Sequence, residues 1–414
     1  MDLNWNLLEK LSKQYGESFY LLDSKRFAQN YDNFIESFRR IYPKTNIGYS
    51  YKTNYIPKLC SIINKKGGYA EVVSEMEFDL AIKIGVPAKK IIINGPYKDK
   101  KSLEKYLLQG SLVNLDSFQE VIFVKEIAVA HPKSKLNIGL RCNFDINNEL
   151  VSRFGFDITN KEFHSMFKKL QKIDNINIKG LHCHFPNRDL ESFKIRTDKL
   201  INVAKKLFIV PPAYLSIGGG YFGNMEPSLK KQFQSKIPTY KKYAEIIATK
   251  FNTEYKDIKE NMKPTLFLEP GSAIVANTIK FVCKVIDIKK IHDTHIAMTT
   301  GSKFNIGLLS SKINLPLNIY RNPKYKQPET YNSIDISGYT CIESDYLYEG
   351  YSGALGINDY LVFDNAGSYS IVFKPPFIMP NVAIIDYDLQ QDTYDVVKRK
   401  ENMEDIFRTY TFNN

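Results

Sequence analysis

One residue whose position would let it act as a nucleophile is Lys52, which follows a short predicted strand. Residues 46–51 place Tyr49 and Tyr51 on one face and small residues on the other, a pattern typical of a buried strand. Burial lowers the pKa of a lysine amine, and a neutral amine can form a Schiff base with a carbonyl cofactor. The alternative is that Lys52 caps the strand and points into water. The residues near it decide between the two interpretations.

Other polar residues and glycines follow the later predicted strands in the same way. They are Glu71 and Ser74, the run Asn-Gly-Pro at residues 94–96, Arg141, His184, Gly218, Gly219 and Gly220, and Glu269 with Pro270 and Gly271. Three adjacent glycines can present backbone amides to a phosphate, although they could also form only a tight turn. Glu269 could be a surface acid, or it could protonate a pyridine nitrogen if it lies opposite the lysine and the glycines.

A pair of histidines on one predicted strand raises the possibility of a metal. His182 and His184 share a strand face around Cys183. No carboxylate or further histidine accompanies them at the spacing of metal ligands in the sequence. We therefore expect no metal site.

A regular alternation of strands and helices must position these residues. Eight strands are predicted, at residues 46–51, 69–73, 90–93, 112–115, 136–141, 178–184, 214–217 and 265–268. Helical patterns lie in the gaps, at residues 58–65, 75–84, 100–108, 118–130, 161–172, 190–208 and 238–251. This pattern predicts a (β/α)8 TIM-type barrel, an α/β fold in which catalytic residues lie at the carboxyl ends of the strands. An open doubly wound sheet is the alternative, but its early G-x-G-x-x-G is absent from the sequence.

The pattern changes after about residue 275. Predicted strands at residues 281–288, 295–299, 333–336, 360–364 and 382–386 have no helices between them. Asn, Pro and Gly residues separate these strands, as they do in sheets connected by turns. A second, all-β domain is therefore predicted on the C-terminal side of the barrel.

The composition indicates a globular enzyme. Of 414 residues, 43% are hydrophobic and 25% charged, and there is no apolar run of the roughly 18 residues that a membrane helix needs. The first residues lack the basic and apolar regions of a signal peptide, so we expect a cytoplasmic location. The net charge of +12 comes from lysines that occur singly or in pairs without a nucleic-acid motif, so neither nucleic acid nor a membrane is an expected partner. Five scattered cysteines without a C-x-x-C predict no disulfide framework.

Together these motifs resemble the fold-type III pyridoxal-phosphate (PLP) decarboxylases, which include the diaminopimelate and ornithine decarboxylases and have the barrel type of the alanine racemases. The matching runs are Tyr51-Lys-Thr-Asn54, Glu71-Val-Val-Ser74, Asn94-Gly-Pro-Tyr-Lys98, Leu140-Arg-Cys-Asn143, Ser152-Arg-Phe-Gly155, Gly180-Leu-His-Cys-His184, the glycines 218–220, Glu269-Pro-Gly271, Gly338-Tyr-Thr-Cys341 with Asp345, and Gly367-Ser-Tyr369. The resemblance covers nearly the whole chain. It implies a PLP-binding barrel over residues 25–275 and a β domain formed by residues 1–24 and 276–414.

The resemblance also implies a role for each site residue. Lys52 would carry PLP as a Schiff base, His184 would stack on its ring, and Glu269 would pair with its pyridinium nitrogen. The further PLP ligands would be Ser74, Arg141, Gly218, Gly219, Gly220, Gly271 and Tyr369. Cys341 would come from the second subunit of a head-to-tail homodimer and return a proton to the α-carbon, so each active site would be shared by two subunits.

The departures from the family pattern concern the substrate more than the chemistry. The acid that follows the cysteine in diamine-forming relatives is Ile342 here, and the arginine of E-P-G-R is Ser272. The phosphate loop H-x-G-S becomes His-Phe-Pro-Asn at residues 184–187, and residues 314–320 lack the arginine of R-P-x-x-Y. The candidate substrate-binding residues are Ile342, Glu343, Asp345 and Tyr320.

These departures favour a PLP-dependent decarboxylase, a carboxy-lyase of amino-acid metabolism, with an unusual small-molecule substrate. An acylated or conjugated diamino acid of siderophore or other specialised metabolism would fit. The alternative is a diaminopimelate decarboxylase of lysine biosynthesis. A racemase is disfavoured, because racemases of this type set an arginine against the pyridine nitrogen where Glu269 would lie here. A catalytically inactive binding protein is a further alternative, but Lys52, His184 and Cys341 are all retained.

Overall fold

The computed structural model describes residues 3–147, 151–233, 236–307, 313–324, 329–388, 391 and 393–412. The chain forms two compact units. The barrel unit consists of Ala28–Gly223 and Ser235–Ile274, and the β unit consists of Met1–Phe27, Asn224–Gln234 and Val275–Asn414. Each unit therefore joins chain segments that are far apart in the sequence.

Eight parallel strands close the barrel unit. In order around the barrel they are Thr45–Ser50, Tyr69–Val72, Ile91–Ile93, Leu112–Leu115, Leu136–Asn143, Ile176–His182, Tyr214–Ser216 and Thr265–Leu268. The last strand pairs with the first, where Leu268 lies opposite Ile47. All carboxyl ends therefore lie at one edge of the barrel, where (β/α)8 proteins carry their active sites.

Helices cover the outside of the barrel unit. Those between the strands are Pro57–Lys65, Glu75–Lys83, Lys100–Leu108, Phe118–Ala130, Lys161–Leu170, Leu190–Leu207 and Tyr240–Glu254, while Ser24–Arg39 precedes the first strand and Ser272–Val275 follows the last. Several begin with a side-chain cap, as where Ser74, Asp99 and Ser117 each accept a hydrogen bond from the amide three residues later. These caps begin each helix soon after a strand and keep the connecting loops short.

The inside of the barrel changes from apolar to polar along its length. Ile92, Tyr214 and Phe267 form a buried apolar cluster with Tyr69 and Leu112. The polar groups of the strand ends lie beyond this cluster. The apolar cluster therefore shields one side of the carboxylates at the strand ends from water.

The β unit contains a mixed nine-stranded sheet. Its strands are Phe19–Leu22, Ile279–Ile291, Thr294–Thr299, Leu317–Tyr320, Glu329–Ser337, Tyr346–Leu355, Tyr360–Phe363, Ala383–Asp388 and Thr393–Lys398. Phe19–Leu22 is central, since it pairs antiparallel with Ile279–Ile291 and parallel with Ala383–Asp388. Its side chains enter a core that includes Leu8, Val282 and Ile385.

The predicted fold class, a (β/α)8 barrel with a β domain, is confirmed. The β unit also has helices that were not predicted, at Trp5–Tyr15, Pro227–Lys230, Lys303–Ile306 and Met403–Phe407. Four predicted barrel strands extended one or two residues too far, because the strands end at Ser50, Val72, His182 and Ser216. Among the described residues, no helix is long and apolar enough to cross a membrane.

Candidate active site

Lys52 lies in a single 3-10 turn, Tyr51–Thr53, directly after the first barrel strand. Its ammonium group donates a hydrogen bond to the Glu71 carboxylate at the end of the neighbouring strand. Glu71 is fully buried, whereas 33% of the Lys52 side chain is exposed. The lysine is therefore held against a buried carboxylate while it remains accessible to a small molecule, and it does not simply point into water.

Glu269 lies at the centre of a second cluster at the same edge. Ser216 Oγ donates to its Oε1 at 2.7 Å, and Asn94 Nδ2 donates to its Oε2 at 3.1 Å. His182 Nε2 lies 3.1 Å from Oε2 as well. The four side chains come from four different strands or strand ends, so closure of the barrel is what assembles them.

The charge of Glu269 follows from these neighbours. Burial alone would raise the pKa of this carboxyl group. The charge and hydrogen bond of His182, the charge of Lys52 and the hydroxyl of Ser216 together outweigh burial and hold the pKa below its ordinary value. Glu269 is therefore a carboxylate, the state that can hold a proton on a ring nitrogen.

Two asparagines connect the carboxylates. The Asn94 Nδ2 that contacts Glu269 also donates to Glu71 Oε1 at 3.0 Å. Asn114 Nδ2 donates to Asn94 Oδ1 at 2.8 Å, and the Tyr214 hydroxyl donates to Asn114 Oδ1 at 2.6 Å. Each amide is thus oriented by the next, which fixes the two carboxylates relative to one another.

The His184 ring is held by the glycine run. The Gly219 N–H donates to His184 Nδ1 at 2.9 Å, so this nitrogen is the acceptor and carries no proton. Burial lowers the pKa of His184 well below its ordinary value, and the charges of Lys52 and Arg141 lower it further. His184 is therefore neutral near pH 7, with its ring orientation set by a backbone amide.

The glycines at 218–220 form a cradle in which side chains do not fit. Gly218 has φ +71° and Gly220 has φ +96°, values that L side chains rarely adopt. A Cβ at Gly219 would lie 2.5 Å from the Glu269 carbonyl oxygen. The run can therefore approach a ligand closely with its backbone.

The other predicted cofactor ligands of the barrel unit lie at the same strand ends. Arg141 Nη1 donates to Asp116 Oδ1 at 3.1 Å. Ser74 caps the helix that follows it, as described above. A Cβ at Gly271 would lie 2.1 Å from Thr53 Oγ1, so the turn after Glu269 packs tightly beside the Lys52 turn. Whether these three residues bind a cofactor stays a prediction.

The β unit carries three of the four predicted substrate residues in one loop, residues 338–345, between two long strands. Cys341 is an exposed free thiol. Ile342 and Glu343 line a cavity of about 720 Å³ together with Lys303. The loop therefore presents a thiol, an apolar side chain and an acid from neighbouring positions.

Asp345, a predicted substrate ligand, orders this loop. It is buried, and its carboxylate accepts hydrogen bonds from Ser302 Oγ at 3.0 Å, the Lys303 amide at 2.8 Å and Thr340 Oγ1 at 2.6 Å. These bonds hold the segment that carries Cys341. A contact of Asp345 with substrate stays a prediction.

Two aromatic residues of the prediction also belong to the β unit. Tyr320 packs against the apolar core of this unit. Tyr369 has φ +56° and stacks on Phe373, with ring centroids 5.7 Å apart. Their predicted contacts with substrate and cofactor stay predictions.

Two of the three polar residues around Glu269 were not predicted as its partners from the sequence. His182 was considered only as half of a metal pair, and Ser216 was not considered. A signal was available, because the strand register pairs His182 with Ser216 directly. Two buried polar residues at paired positions of neighbouring strands indicate a polar group between them.

Fold and site together define a class of protein. A (β/α)8 barrel with an accessible lysine, a buried carboxylate, a neutral histidine and a glycine cradle at its strand ends has the groups that a PLP enzyme requires. The residues fit this cofactor on three points. The glycine cradle, whose space a Cβ would fill, can accept a phosphate. The Glu269 carboxylate can pair with a pyridinium nitrogen, and the Lys52 amine can react with an aldehyde.

Comparison with known proteins gives the family. The family described as "Pyridoxal-dependent decarboxylase, pyridoxal binding domain" matches residues 29–276. This chain belongs to that family, the fold-type III PLP-dependent decarboxylases. It is therefore a PLP-dependent carboxy-lyase that acts on an amino acid, which confirms the predicted enzyme class and cofactor.

Relatives include diaminopimelate decarboxylases of bacteria and archaea. The chain is 25% identical to that of Aquifex aeolicus over 419 residues, covering 96% of this chain and 93% of the relative. It is 27% identical to that of Methanocaldococcus jannaschii over 383 residues, covering 87% and 84%. The crystal structure of the M. jannaschii enzyme in co-complex with L-lysine matches with a TM-score of 0.83 at 22% identity, covering 98% of this chain and 94% of that chain.

Proposed function

We propose that this protein removes carbon dioxide from diaminopimelate and so produces lysine. The observation that carries the proposal is that relatives aligned with 96% and 87% of this chain are named diaminopimelate decarboxylases. One of them has been crystallised with L-lysine. This order of substrates reverses the expectation from the sequence, in which Ile342 and Ser272 favoured an acylated diamino acid.

Within the barrel unit, Lys52 would hold the cofactor through its amine. The glycines 218–220 would receive the phosphate, and Glu269 would pair with the ring nitrogen. Ser74, Arg141 and Gly271 lie at the same strand ends and would complete the binding site. Bound PLP withdraws electrons from the α-carbon of an amino acid, which stabilises the negative charge left when carbon dioxide departs.

The protein's own groups prepare this chemistry. Glu269 is ionised and oriented by three side chains before any ligand enters, so it can hold a ring proton without reorganisation. Neutral His184 does not compete with the ring nitrogen for the negative charge of Glu269. Glu71 keeps the Lys52 amine at the strand end and can take up a proton from it. Burial of the carboxylates strengthens each of these electrostatic interactions.

The test is a comparison of carbon dioxide release from diaminopimelate, lysine, ornithine and a panel of acylated diamino acids. We expect kcat/KM for diaminopimelate of about 10⁴ M⁻¹s⁻¹ or more, the range of an enzyme acting on its own substrate. A value for an acylated diamino acid that exceeds that for diaminopimelate by two orders of magnitude would contradict the proposal.

A conjugated or acylated diamino acid is the second candidate, and the cavity beside Ile342 favours it. The cavity of about 720 Å³ is large enough for a substrate bigger than a free amino acid. Lys303 at its wall could meet an anionic substituent. An apolar Ile342 where relatives have an acid would leave a buried ammonium unpaired, which costs several kcal/mol unless Glu343 replaces that acid.

We further propose that Cys341 acts from a second subunit and returns the proton to the α-carbon. Its exposed thiol and the ordered loop around it support this role. Cys341→Ala and Lys52→Ala should each be nearly inactive, whereas mixed dimers of the two should regain activity, because one of their two sites has both residues. Verified heterodimers without activity would contradict the shared site.

A further inference from the structure

Arg196 is a buried cation to which the proposed mechanism gives no part. It lies in the helix Leu190–Leu207 and is 0% exposed. Burial of a guanidinium is costly unless other groups compensate its charge, so arginines on barrel helices normally reach water. The position of Arg196 therefore requires a reason.

The contacts of Arg196 join two segments at the edge of the cradle. Nη1 donates to the Gly219 carbonyl oxygen at 3.0 Å, and Nη2 donates to the Asn187 carbonyl oxygen. Nε and Nη2 both donate to Ser192 Oγ, at 3.0 and 2.9 Å. The guanidinium carbon lies 4.0 Å from the centre of the Phe193 ring. Arg196 thus ties the glycine run to the loop that follows His184.

The positive charge of Arg196 is not neutralised by these contacts. Its hydrogen-bond acceptors are two carbonyls and a hydroxyl, and within the described part of the chain no carboxylate forms an ion pair with it. Burial lowers the pKa of the guanidinium most, while its electrostatic interactions with Cys183, Tyr221 and Asp189 raise it by less. A buried cation with neutral partners attracts an anion.

The sequence departs from the family pattern at two segments that the resemblance associates with the phosphate, although the first of them could instead contact the substrate. The arginine of E-P-G-R is Ser272, and the phosphate loop H-x-G-S reads His-Phe-Pro-Asn at residues 184–187. Arg196 binds the last residue of that altered loop and the cradle at once. Its Nη1 lies 3.9 Å from the place where a Cβ of Gly220 would stand.

We propose that Arg196 is the positioning residue for the phosphate group of PLP in this chain and replaces the positive charge that is absent at position 272. It acts through the glycine cradle, which it anchors from behind by the Gly219 carbonyl, and it places a positive charge next to the bound dianion. The inference rests on the cofactor alone and holds for any amino-acid substrate.

The test compares the binding of PLP and of pyridoxal, which lacks the phosphate, to the cofactor-free full-length protein. In Arg196→Gln the dissociation constant for PLP should rise about tenfold or more, as expected for loss of a charge-assisted contact, whereas that for pyridoxal should change little. Arg196→Lys, which keeps the charge, should fall between wild type and Arg196→Gln. Lys194→Gln removes an exposed charge two residues away on the same helix and should bind PLP as wild type does.

The ratio of the two dissociation constants separates an effect on the phosphate group from a general disturbance of the active site. A general disturbance of the active site would weaken PLP and pyridoxal equally, so an equal loss in Arg196→Gln overturns the proposal. An unchanged affinity for PLP in Arg196→Gln overturns it as well. Thermal unfolding of each variant, followed by circular dichroism, establishes that the binding data come from folded protein.

Discussion

Glu269 and Glu77 are both buried glutamates near the strand ends of the barrel unit, yet their charge states differ. The pKa of Glu269 lies below its ordinary value. Burial raises the pKa of Glu77 to about 7, and the charge of Glu71 adds to this effect, while the Val73 amide and Lys52 lower it. One carboxyl group is therefore ionised at neutral pH and the other is half protonated.

The neighbours of the two groups explain the difference. Glu269 has a histidine, a hydroxyl and an amide within hydrogen-bonding distance, whereas a backbone amide, that of Val73, donates to Glu77 Oε2 at 2.8 Å. Burial is comparable, at 3% and 4% exposure. A carboxylate is thus kept ionised in a barrel by its partners rather than by access to water.

The largest effect should come from Lys52→Ala, because Lys52 lowers the pKa of both glutamates by its charge and would hold the cofactor. We expect kcat to fall by about three orders of magnitude or more, since the reaction loses its covalent tether. Borohydride reduction of wild type with PLP should label the Lys52 peptide. Lys65→Ala, an exposed lysine of the next helix, is the control and should stay active. A label on another lysine in wild type would contradict the assignment.

The second-largest effect should come from Glu269→Gln, which removes the carboxylate that is ionised at neutral pH. The amide keeps the shape of the side chain but cannot hold a proton on a ring nitrogen, so kcat should fall by about 10²–10³-fold, or about 3 kcal/mol. Glu77→Gln is the matched control and should retain most of the kcat. Steady-state kinetics with saturating PLP measures both. Equal losses in the two variants would show that the carboxylates do not differ in role.

His182→Gln should make Glu269 less readily ionised while it leaves the carboxyl group in place. His182 lowers the pKa of Glu269, so the variant raises that pKa, and the acid limb of the kcat/KM profile moves to higher pH. Loss of a hydrogen bond to a charged group should lower kcat at neutral pH by about 10- to 100-fold. His131, which pairs with Glu104 near the surface, provides the control variant His131→Gln. An acid limb that does not move would contradict the role of His182.

Glu77→Gln removes the carboxyl group whose pKa is raised. It should have the smallest effect, a change in how the stability of the protein depends on pH. A carboxyl whose pKa is raised on folding binds more protons in the folded state, so wild-type stability relative to Glu77→Gln should fall as pH rises from 4.5 to about 7. The change should be on the order of 1–3 kcal/mol. Urea unfolding at pH 5 and pH 7.5 measures it. The exposed Glu75→Gln on the same helix should show no such trend, and a parallel trend there would contradict the explanation.

Much of the barrel could be predicted, because each strand and helix has a local pattern. The helices Lys100–Leu108 and Phe118–Ala130 were predicted with the observed bounds. The helix Trp5–Tyr15 was not, since its apolar residues pack in a core that is completed mostly by strands hundreds of residues away. Strand ends were less accurate for the same reason, as at His182.

The sequence predicts which residue types lie at the site, but it does not predict which side chains contact one another there. Lys52 and Glu269 stand out because they end apolar strands. The partners that set the charge of Glu269 come from distant strands, and no local pattern joins Ser216 to His182. Arg196 has the appearance of an ordinary surface residue in a helix that also carries several lysines, and only the packed structure shows that it is buried.

The central strand of the β unit has a consequence for synthesis on the ribosome. Phe19 pairs with Val282 and with Ala383, so its first partner is made about 260 residues later (282 minus 19). At about 5–20 residues per second this separation lasts roughly 13–50 s. All eight barrel strands are made within that interval, during which the apolar strand Phe19–Leu22 has no partner strand to pair with. The barrel can therefore fold during translation, whereas the sheet of the β unit can be completed only after Ala383 has been made.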